Sequence, residues 1–307
     1  MKGYRFLQLD VFTREAFSGN QLAVFPEAEG LSEAEMQAIA REMNFSETTF
    51  VLPATDARAL RRVRIFTPAA ELPFAGHPVI GTTFALAHDG VINPDSGSPT
   101  YLELRVGTLP IDLLFEEQRL AFAWMHQPVP TFEPWNGDRA HLTRALGLKL
   151  EDIDMSLPVE RGSAGVPFLY VPLRDMAAVT RARPGADLAD VVADASPHIG
   201  VYLFAREAMS EGVNAHVRMF ALGMGISEDP ATGSAAGPFG VYLLRHGVIS
   251  PDASHAADVR VEQGIEIKRP SELSISITGS KESISDVRVG GASVVVAEGE
   301  LFVPARA

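Results

Sequence analysis

The chain has 307 residues, of which 46% are hydrophobic and 21% charged, so a substantial buried core is expected and an intrinsically disordered protein is excluded. Acidic residues outnumber basic ones by 39 to 26 and give a net charge of −13, which argues against nucleic acid and anionic membranes as partners. Because the chain contains no cysteine, disulfides, thiolate metal sites and cysteine nucleophiles are excluded as well.

The N-terminal sequence, MKGYRFLQLDVFT, alternates as a strand does and lacks the apolar region of a secretory signal. No later apolar run reaches the length of a membrane-spanning helix. We therefore expect a soluble, cytoplasmic protein. The general frequency of symmetric dimers among soluble oligomers favours a homodimer.

In the first part of the chain, hydrophobic periodicity predicts strands and helices. The predicted strands lie near 4–12, 48–53, 60–67, 100–106, 109–115 and 119–125. The predicted helices lie near 32–43 and 78–89. Ser32 and Glu35 form a capping-box pattern at the start of the first helix. A polar, proline-rich stretch at 126–138 follows and is the best linker candidate.

Beyond this stretch the same periodicities predict a second group of elements. The predicted strands lie near 167–173, 199–205, 213–221, 257–263, 272–278 and 286–303. The predicted helices lie near 138–147, 187–195 and 230–246. The length suits two domains of about 150 residues. We expect one domain over 1–125, with a strand near 299–304 as a candidate to complete it, and a second over 126–307.

An internal repeat relates the two halves of the chain. Three short segments recur in the same order at nearly one offset. The matched pairs are GHPVIGT (76–82) with EDPATGS (228–234), VRIFTP (63–68) with VRMFAL (217–222), and HDGVI (88–92) with RHGVI (245–249). These matches predict two similar domains, each with a strand, a loop and a glycine-rich helix.

Each repeat has a titratable residue directly before a proline at a predicted helix start, His77 in the first half and Asp229 in the second. Asp229 is predicted to be an N-cap, with Pro230 as the first helical residue. Two titratable groups at such paired positions would form a plausible acid/base pair if they faced one cleft.

Both predicted helix starts are made of small residues. Helix N-termini expose unpaired N–H groups and carry partial positive charge, so small residues there let an anion approach the backbone. Close packing of a helix inside a curled sheet would explain the same residues without a ligand. The small residues proposed to line an anion site are Gly76, Gly81, Thr82, Gly233 and Ser234.

Glu47, in NFSETTFVLP (44–53), is the candidate general base. Phe45 and Phe50 flank it, and apolar surroundings help a carboxyl group to hold a proton near neutral pH. At the offset of the repeat, Glu47 aligns with Ile199, so only one half carries this acid. A single carboxylate can take a proton from one carbon and return it to another on the same face, which is an isomerisation.

Five segments in order resemble the PhzF-like phenazine-biosynthesis isomerase family. They are GNQLAVF (19–25), SETTFVL (46–52), FAGHPVIGT (74–82), DPATGSAAGPFG (229–240) and QGIEIKRPS (263–271). The resemblance implies an α+β, diaminopimelate epimerase-like fold. It has two similar domains related by pseudo-twofold symmetry, each a curled, mostly antiparallel sheet around a central helix, with the active site between them. Diaminopimelate epimerase uses two cysteines, so that activity is not supported here.

The resemblance also implies a cofactor-free isomerisation of a dihydro-hydroxyanthranilate-type small carboxylic acid, without a metal. Glu47 matches the proton-transferring glutamate of the family, and His77 and Asp229 match the residues that assist it. Gly76 and Ser234 match pocket residues, and Asn20 in GNQLAVF is a further substrate-binding candidate.

The sequence lacks the motifs of other classes of enzyme. There is no G-x-S-x-G elbow for a serine hydrolase, no complete nucleotide-binding glycine motif and no paired metal-ligating histidines. Two alternatives stay open. An epimerase or racemase would use Glu47 against His77 or Asp229, and a non-catalytic small-acid binding protein would not need Glu47.

Overall fold

The computed structural model describes residues 1–193 and 199–304. The chain forms two compact units, of which the first comprises Met1–His126 and Gly290–Ala307 and the second Gln127–Val289. The first unit thus takes up more of the C-terminal segment than the strand near 299–304 named from the sequence. Within the described residues, no helix is both long and apolar enough to cross a membrane.

The first unit is a curled mixed sheet with two helices. Its strands in the N-terminal segment are β1 (Lys2–Val11), β2 (Asn20–Phe25), β3 (Glu47–Leu52), β4 (Arg61–Phe66), β5 (Glu71–Leu72), β6 (Thr100–Leu104), β7 (Gly107–Glu116) and β8 (Arg119–Gln127). Its helices are α1 (Glu33–Met43), which has the expected Ser32–Glu35 capping box, and α2 (Gly76–His88).

Helix α2 is the central helix of this unit. Every residue from 76 to 86 is buried, and the helix packs against β1, β2 and β3. A helix that is apolar on all sides must be enclosed by other elements. Around it, the pairs β2–β3 and β4–β6 are parallel, and β1–β2, β3–β4, β4–β5, β6–β7 and β7–β8 are antiparallel.

Among its described residues, the second unit has the next nine strands and four α-helices. The strands are β9 (Thr131–Pro134), β10 (Glu160–Ser163), β11 (Pro167–Pro172), β12 (Gly200–Ala205), β13 (Ala215–Ala221), β14 (Ile226–Asp229), β15 (Ala256–Gln263), β16 (Ser271–Gly279) and β17 (Ile284–Gly291). The helices are α3 (Arg139–Ala145), α4 (Met176–Arg181), α5 (Leu188–Val192) and the buried α6 (Gly233–Arg245).

The two units share one connectivity, which confirms the two similar domains predicted from the repeat. The parallel pairs β11–β12 and β13–β15 correspond to β2–β3 and β4–β6, and the antiparallel pairs follow the same order. The last strand, β18 (Ser293–Val303), pairs with β1 in the first unit, as β9 pairs with β10 in the second.

A buried ion pair is repeated along with the strands. Arg64 on β4 forms a bidentate pair with Glu71 on β5, and Arg218 on β13 forms one with Glu228 on β14. Each guanidinium also lies over a phenylalanine two residues along its strand, at 5.1 Å in the first unit and 4.9 Å in the second. The same contacts thus join β4 to β5 in the first unit and β13 to β14 in the second.

The structure differs from three of the predicted elements. The stretch 126–138 is not a free linker, because its residues Thr131–Pro134 form β9 and pair with β10. The single strand expected over 286–303 is two strands, β17 and β18. Helix α5 ends at Val192, and residues 194 and 195 of the predicted helix lie outside the described residues.

Strand register corrects the alignment of Glu47 by one residue. Thr49 pairs with Ile65 on β4, and Tyr202 pairs with Met219 on β13, while Ile65 and Met219 are equivalent in VRIF and VRMF. Counting back two residues makes Gly200, and not Ile199, the equivalent of Glu47, because the offset is 153 between these strands and 152 between the segments GHPVIGT and EDPATGS. The second unit still has no acid at this position.

His216 lies in a buried ionic cluster of the second unit. It is 0% exposed, and its Nδ1 and Nε2 each lie 2.8 Å from a carboxylate, that of Glu262 and that of Glu266. Burial alone would lower the pKa of His216, but the hydrogen bonds and negative charges of Glu266 and Glu262 outweigh it and raise the pKa above 6.5. The imidazolium form therefore stabilises the folded state.

Replacing His216 by asparagine is expected to lower the free energy of unfolding most below pH 6.5, where the imidazolium contribution is fully present. The loss should shrink as the pH rises through the raised folded-state pKa, because the wild type loses the same contribution there. Urea unfolding across this range measures the difference. The control is His141→Asn, whose side chain is 49% exposed. A pH-independent loss for His216→Asn would contradict the prediction.

Candidate active site

Glu47 is the first residue of β3, in a run of β-branched and aromatic residues that favours a strand. Its partner in the parallel ladder is Leu22 on β2. Only 7% of Glu47 is exposed. The strand therefore holds a carboxylate at its beginning, almost out of contact with water.

His77 is the second residue of α2 and is 4% exposed. It is not in the N-cap position, because the extended backbone before the helix belongs to Ala75. The imidazole contacts the neighbouring strands instead: its Nε2 lies 3.2 Å from Oε2 of Glu47. The structure thus brings together two of the residues predicted to be catalytic.

A short series of contacts extends from this pair. The amide nitrogen Nδ2 of Asn20, the first residue of β2, lies 3.2 Å from Nδ1 of His77. The hydroxyl of Ser46 donates to Oδ1 of Asn20 at 3.0 Å. Asn20 and His77 are both buried. Asn20, predicted to bind substrate, therefore touches His77 directly.

Burial lowers the pKa of His77 to about 3, although a hydrogen bond with the Gln21 backbone acts to raise it. The imidazole is therefore neutral at physiological pH. A neutral histidine beside a carboxylate can donate or accept a hydrogen bond without the charge of an imidazolium. The pair therefore consists of one carboxyl group that can carry a proton and one uncharged polar partner.

In the second unit, Asp229 is the last residue of β14 and is 5% exposed. It was predicted to cap the helix, with Pro230 as its first residue, and this is wrong. Helix α6 begins at Gly233, and its N-cap is Thr232. The β13–β14 pairing holds Asp229 in extended conformation, and its Oδ2 accepts a 2.6 Å hydrogen bond from the Thr232 hydroxyl.

Gln263 fixes the segment between Asp229 and the helix, a role the sequence did not reveal. Its Nε2 donates to the Asp229 carbonyl at 2.8 Å and to the Thr232 hydroxyl at 2.9 Å. Its Oε1 accepts from the Thr232 N–H at 3.1 Å. Gly264 follows with a φ of +79°, and a side chain there would collide with the carbonyls of Pro230 and Arg269. The QG pair of QGIEIKRPS was the available signal.

The starts of α2 and α6 have no capping side chain. Ala75 and Thr232 make no side-chain cap, and neither helix has an acidic residue in its first turn. Helices α1, α3 and α4 are capped by Ser32, Asp138 and Asp175. The predicted anion-site residues Gly76, Gly233 and Ser234 all lie in the first turns of these two uncapped helices.

Gly81 and Thr82 lie further along α2, inside the core of the unit. A Cβ at Gly81 would lie 2.5 Å from Cδ2 of Leu22 and 2.7 Å from Cγ2 of Val11. The Thr82 hydroxyl lies 2.9 Å from that of Thr49. Packing of the helix against β1, β2 and β3 explains both residues without a ligand.

Gly81→Ala is accordingly expected to destabilise the protein by about 1–3 kcal/mol, the usual cost of overpacking a core. Alanine is otherwise the better helix former by up to about 1 kcal/mol, so a loss would show the packing effect directly. Urea unfolding measures the change in stability, and steady-state kinetics measure the change in KM. We expect KM of the folded fraction to be unchanged; a raised KM with unchanged stability would restore the anion-site interpretation.

The family model described as "Phenazine biosynthesis-like protein" matches residues 9–299. Trans-2,3-dihydro-3-hydroxyanthranilate isomerase of Pseudomonas aeruginosa is 38% identical over 302 residues, covering 98% of this chain and 100% of that protein.

Solved structures give the same relationship. The phenazine biosynthesis protein of the PhzF family from Bacillus anthracis matches with a TM-score of 0.88 at 30% identity, over 99% of this chain and 100% of that one. A hydroxyproline epimerase from Agrobacterium vitis matches with a TM-score of 0.63 at 15% identity, over 97% and 92% of the two chains. The second match shows the epimerase-like fold alone.

Proposed function

We propose, given that the chain belongs to the family of phenazine biosynthesis-like proteins and is an isomerase, that it moves a proton on a small cyclic carboxylic acid without a cofactor. The relatives' reaction, isomerisation of trans-2,3-dihydro-3-hydroxyanthranilate, is the first candidate. The observation that carries the proposal is the buried carboxylate of Glu47 beside the neutral imidazole of His77, 3.2 Å away.

Glu47 acts first as general base and then as general acid. Its carboxylate takes a proton from one ring carbon, and the electron pair left behind is delocalised into the conjugated system of the substrate. The same carboxyl group then returns the proton to another carbon on the same face. No atom is gained or lost, and one acid suffices.

The remaining roles are those of substrate-binding groups. His77 and Asp229 hydrogen-bond to polar groups of the substrate. The N–H groups of Gly76, Gly233 and Ser234, at helix starts without capping side chains, hold anionic oxygen and stabilise the negative charge that develops in the transition state. Gly81 and Thr82 are left out of this proposal, because packing accounts for them.

Proton NMR in D₂O tests the function. The protein is incubated with trans-2,3-dihydro-3-hydroxyanthranilate and, separately, with a panel of small α-amino and α-hydroxy acids. We expect the first compound to be converted, with changes in its C–H signals as the proton moves. Exchange at the α-carbon of a panel acid without conversion of the first compound would support an epimerase instead. In the second unit the position equivalent to Glu47 is occupied by Gly200, which has no side chain that could act as a base. This favours the one-acid reaction over an epimerase whose second base would lie at that position.

A further inference from the structure

Asn20, which was expected to bind substrate, contacts His77 directly. Both polar atoms of its amide are engaged within the first unit. Oδ1 accepts from the hydroxyl of Ser46 at 3.0 Å, and Nδ2 lies 3.2 Å from Nδ1 of His77. With Oδ1 facing the Ser46 hydroxyl, the NH₂ end of the amide faces His77.

An amide NH₂ group can only donate a hydrogen bond. With the amide in this orientation, Nδ1 of His77 accepts the hydrogen bond, which makes it the unprotonated ring nitrogen. In a neutral imidazole the proton then resides on Nε2, because the hydrogen bond at one nitrogen determines the state of the other. Burial keeps the ring neutral, with a pKa of about 3.

The proton-bearing Nε2 occupies the position that matters for chemistry. It lies 3.2 Å from Oε2 of Glu47, it is buried, and it makes no hydrogen bond of good geometry with any of the described residues. A buried N–H donor of this kind is free to bond to a polar atom of a bound molecule. The opposite tautomer would present a lone pair there and would compete with Glu47 for the role of base.

We propose that Asn20 is a positioning residue that holds His77 in the tautomer protonated at Nε2, so that His77 serves as a hydrogen-bond donor beside Glu47 and not as a second base. This inference rests on the proposed function for its catalytic meaning. The tautomer itself is a property of the resting protein and can be measured without substrate.

The experiment is ¹⁵N NMR of the histidine side chains, with the His77 signals assigned by their loss in His77→Gln. We expect Nε2 to be protonated and Nδ1 unprotonated in the wild type. In Asn20→Asp the carboxylate accepts in place of the amide donor, so Nδ1 should become protonated. We expect kcat of this variant to fall on the order of 100-fold, as for the loss of one positioned donor.

Two further variants keep the test decisive. Ser46→Ala removes the hydroxyl that orients the amide and should give a smaller fall in kcat. Thr49→Val removes a buried hydroxyl contact that does not involve His77 and should leave kcat unchanged.

A wild-type His77 protonated at Nδ1, or an Asn20→Asp protein that keeps both the Nε2 proton and its activity, would overturn the proposal. If Asn20→Asp does not fold, the wild-type spectrum still decides. Failure of the proposed isomerisation would leave the spectra unchanged, so the two failures can be told apart.

Discussion

Glu47→Gln is expected to lower kcat by about 10²–10⁴-fold, the contribution typical of a positioned general acid or base. Glutamine has the same shape and can keep the contact with His77, but it cannot accept a proton from carbon. Binding of the substrate should therefore persist while turnover is lost. Conversion of trans-2,3-dihydro-3-hydroxyanthranilate by NMR, with ligand binding measured by calorimetry, separates these two effects.

The chain offers a matched control for this substitution. Glu160 on β10 is 8% exposed, against 7% for Glu47, and it also contacts a histidine, His246, at 2.9 Å. Glu160→Gln removes the same charge from a similar environment, so we expect turnover to remain near the wild-type value. Wild-type turnover in Glu47→Gln would rule out Glu47 as the base and favour a binding protein or another catalytic group.

Arg218→Met is expected to destabilise the second unit by about 3–5 kcal/mol, the usual result of removing one partner from a buried ion pair. The side chain of Arg218 is 4% exposed. Besides its pair with Glu228, it donates to the carbonyls of Val179 at 3.0 Å and Ala182 at 2.8 Å. These carbonyls lie at the C-terminal end of α4, where few backbone N–H groups are available: that of Val179 also accepts the Ala182 N–H at 3.2 Å, and that of Ala182 also accepts from the Arg183 side chain at 2.7 Å. The substitution leaves both the carboxylate and the carbonyls without this partner.

The repeat provides the comparison for this prediction. Arg64→Met breaks the equivalent pair in the first unit, but the Arg64 side chain is 14% exposed, and its hydrogen bonds all go to the carboxylates of Glu71 and Glu33. We therefore expect a smaller loss. Trp135, in the core of the second unit, reports the unfolding of that unit by fluorescence once Trp124 is replaced by phenylalanine, and Trp124 reports the unfolding of the first unit once Trp135 is replaced. Equal losses at the two sites would show that the helix-end carbonyls contribute nothing.

The repeat was the most informative feature of the sequence, because duplicated segments must fold alike. Matching VRIF with VRMF was sufficient to expect two sheets of one connectivity, and the strands β4 and β13 pair as that match requires. Glu47, His77 and Asn20 could be named from short motifs, and the structure brings these three together.

Local rules failed where tertiary contacts decide the backbone. Asp-Pro is a good helix start in isolation, yet the β13–β14 pairing keeps Asp229 extended and moves the start to Gly233. Gly81 suggested a ligand, but the side chains it accommodates belong to β1 and β2, which are distant in sequence. Gln263 could not be assigned a role because its partners, Asp229 and Thr232, lie about 30 residues earlier in the chain.

The pairing of β18 with β1 has a consequence for synthesis on the ribosome. Lys2 pairs with Val303, and the ladder continues to Val11 and Ser293, so the first unit needs residues that are translated after the second unit. Until they emerge, β1 has only β2 beside it and presents an open strand edge, the kind of surface that pairs with other chains. N-terminal domains generally fold first during translation, but here the unit that carries Glu47 is completed only after the second unit has been translated.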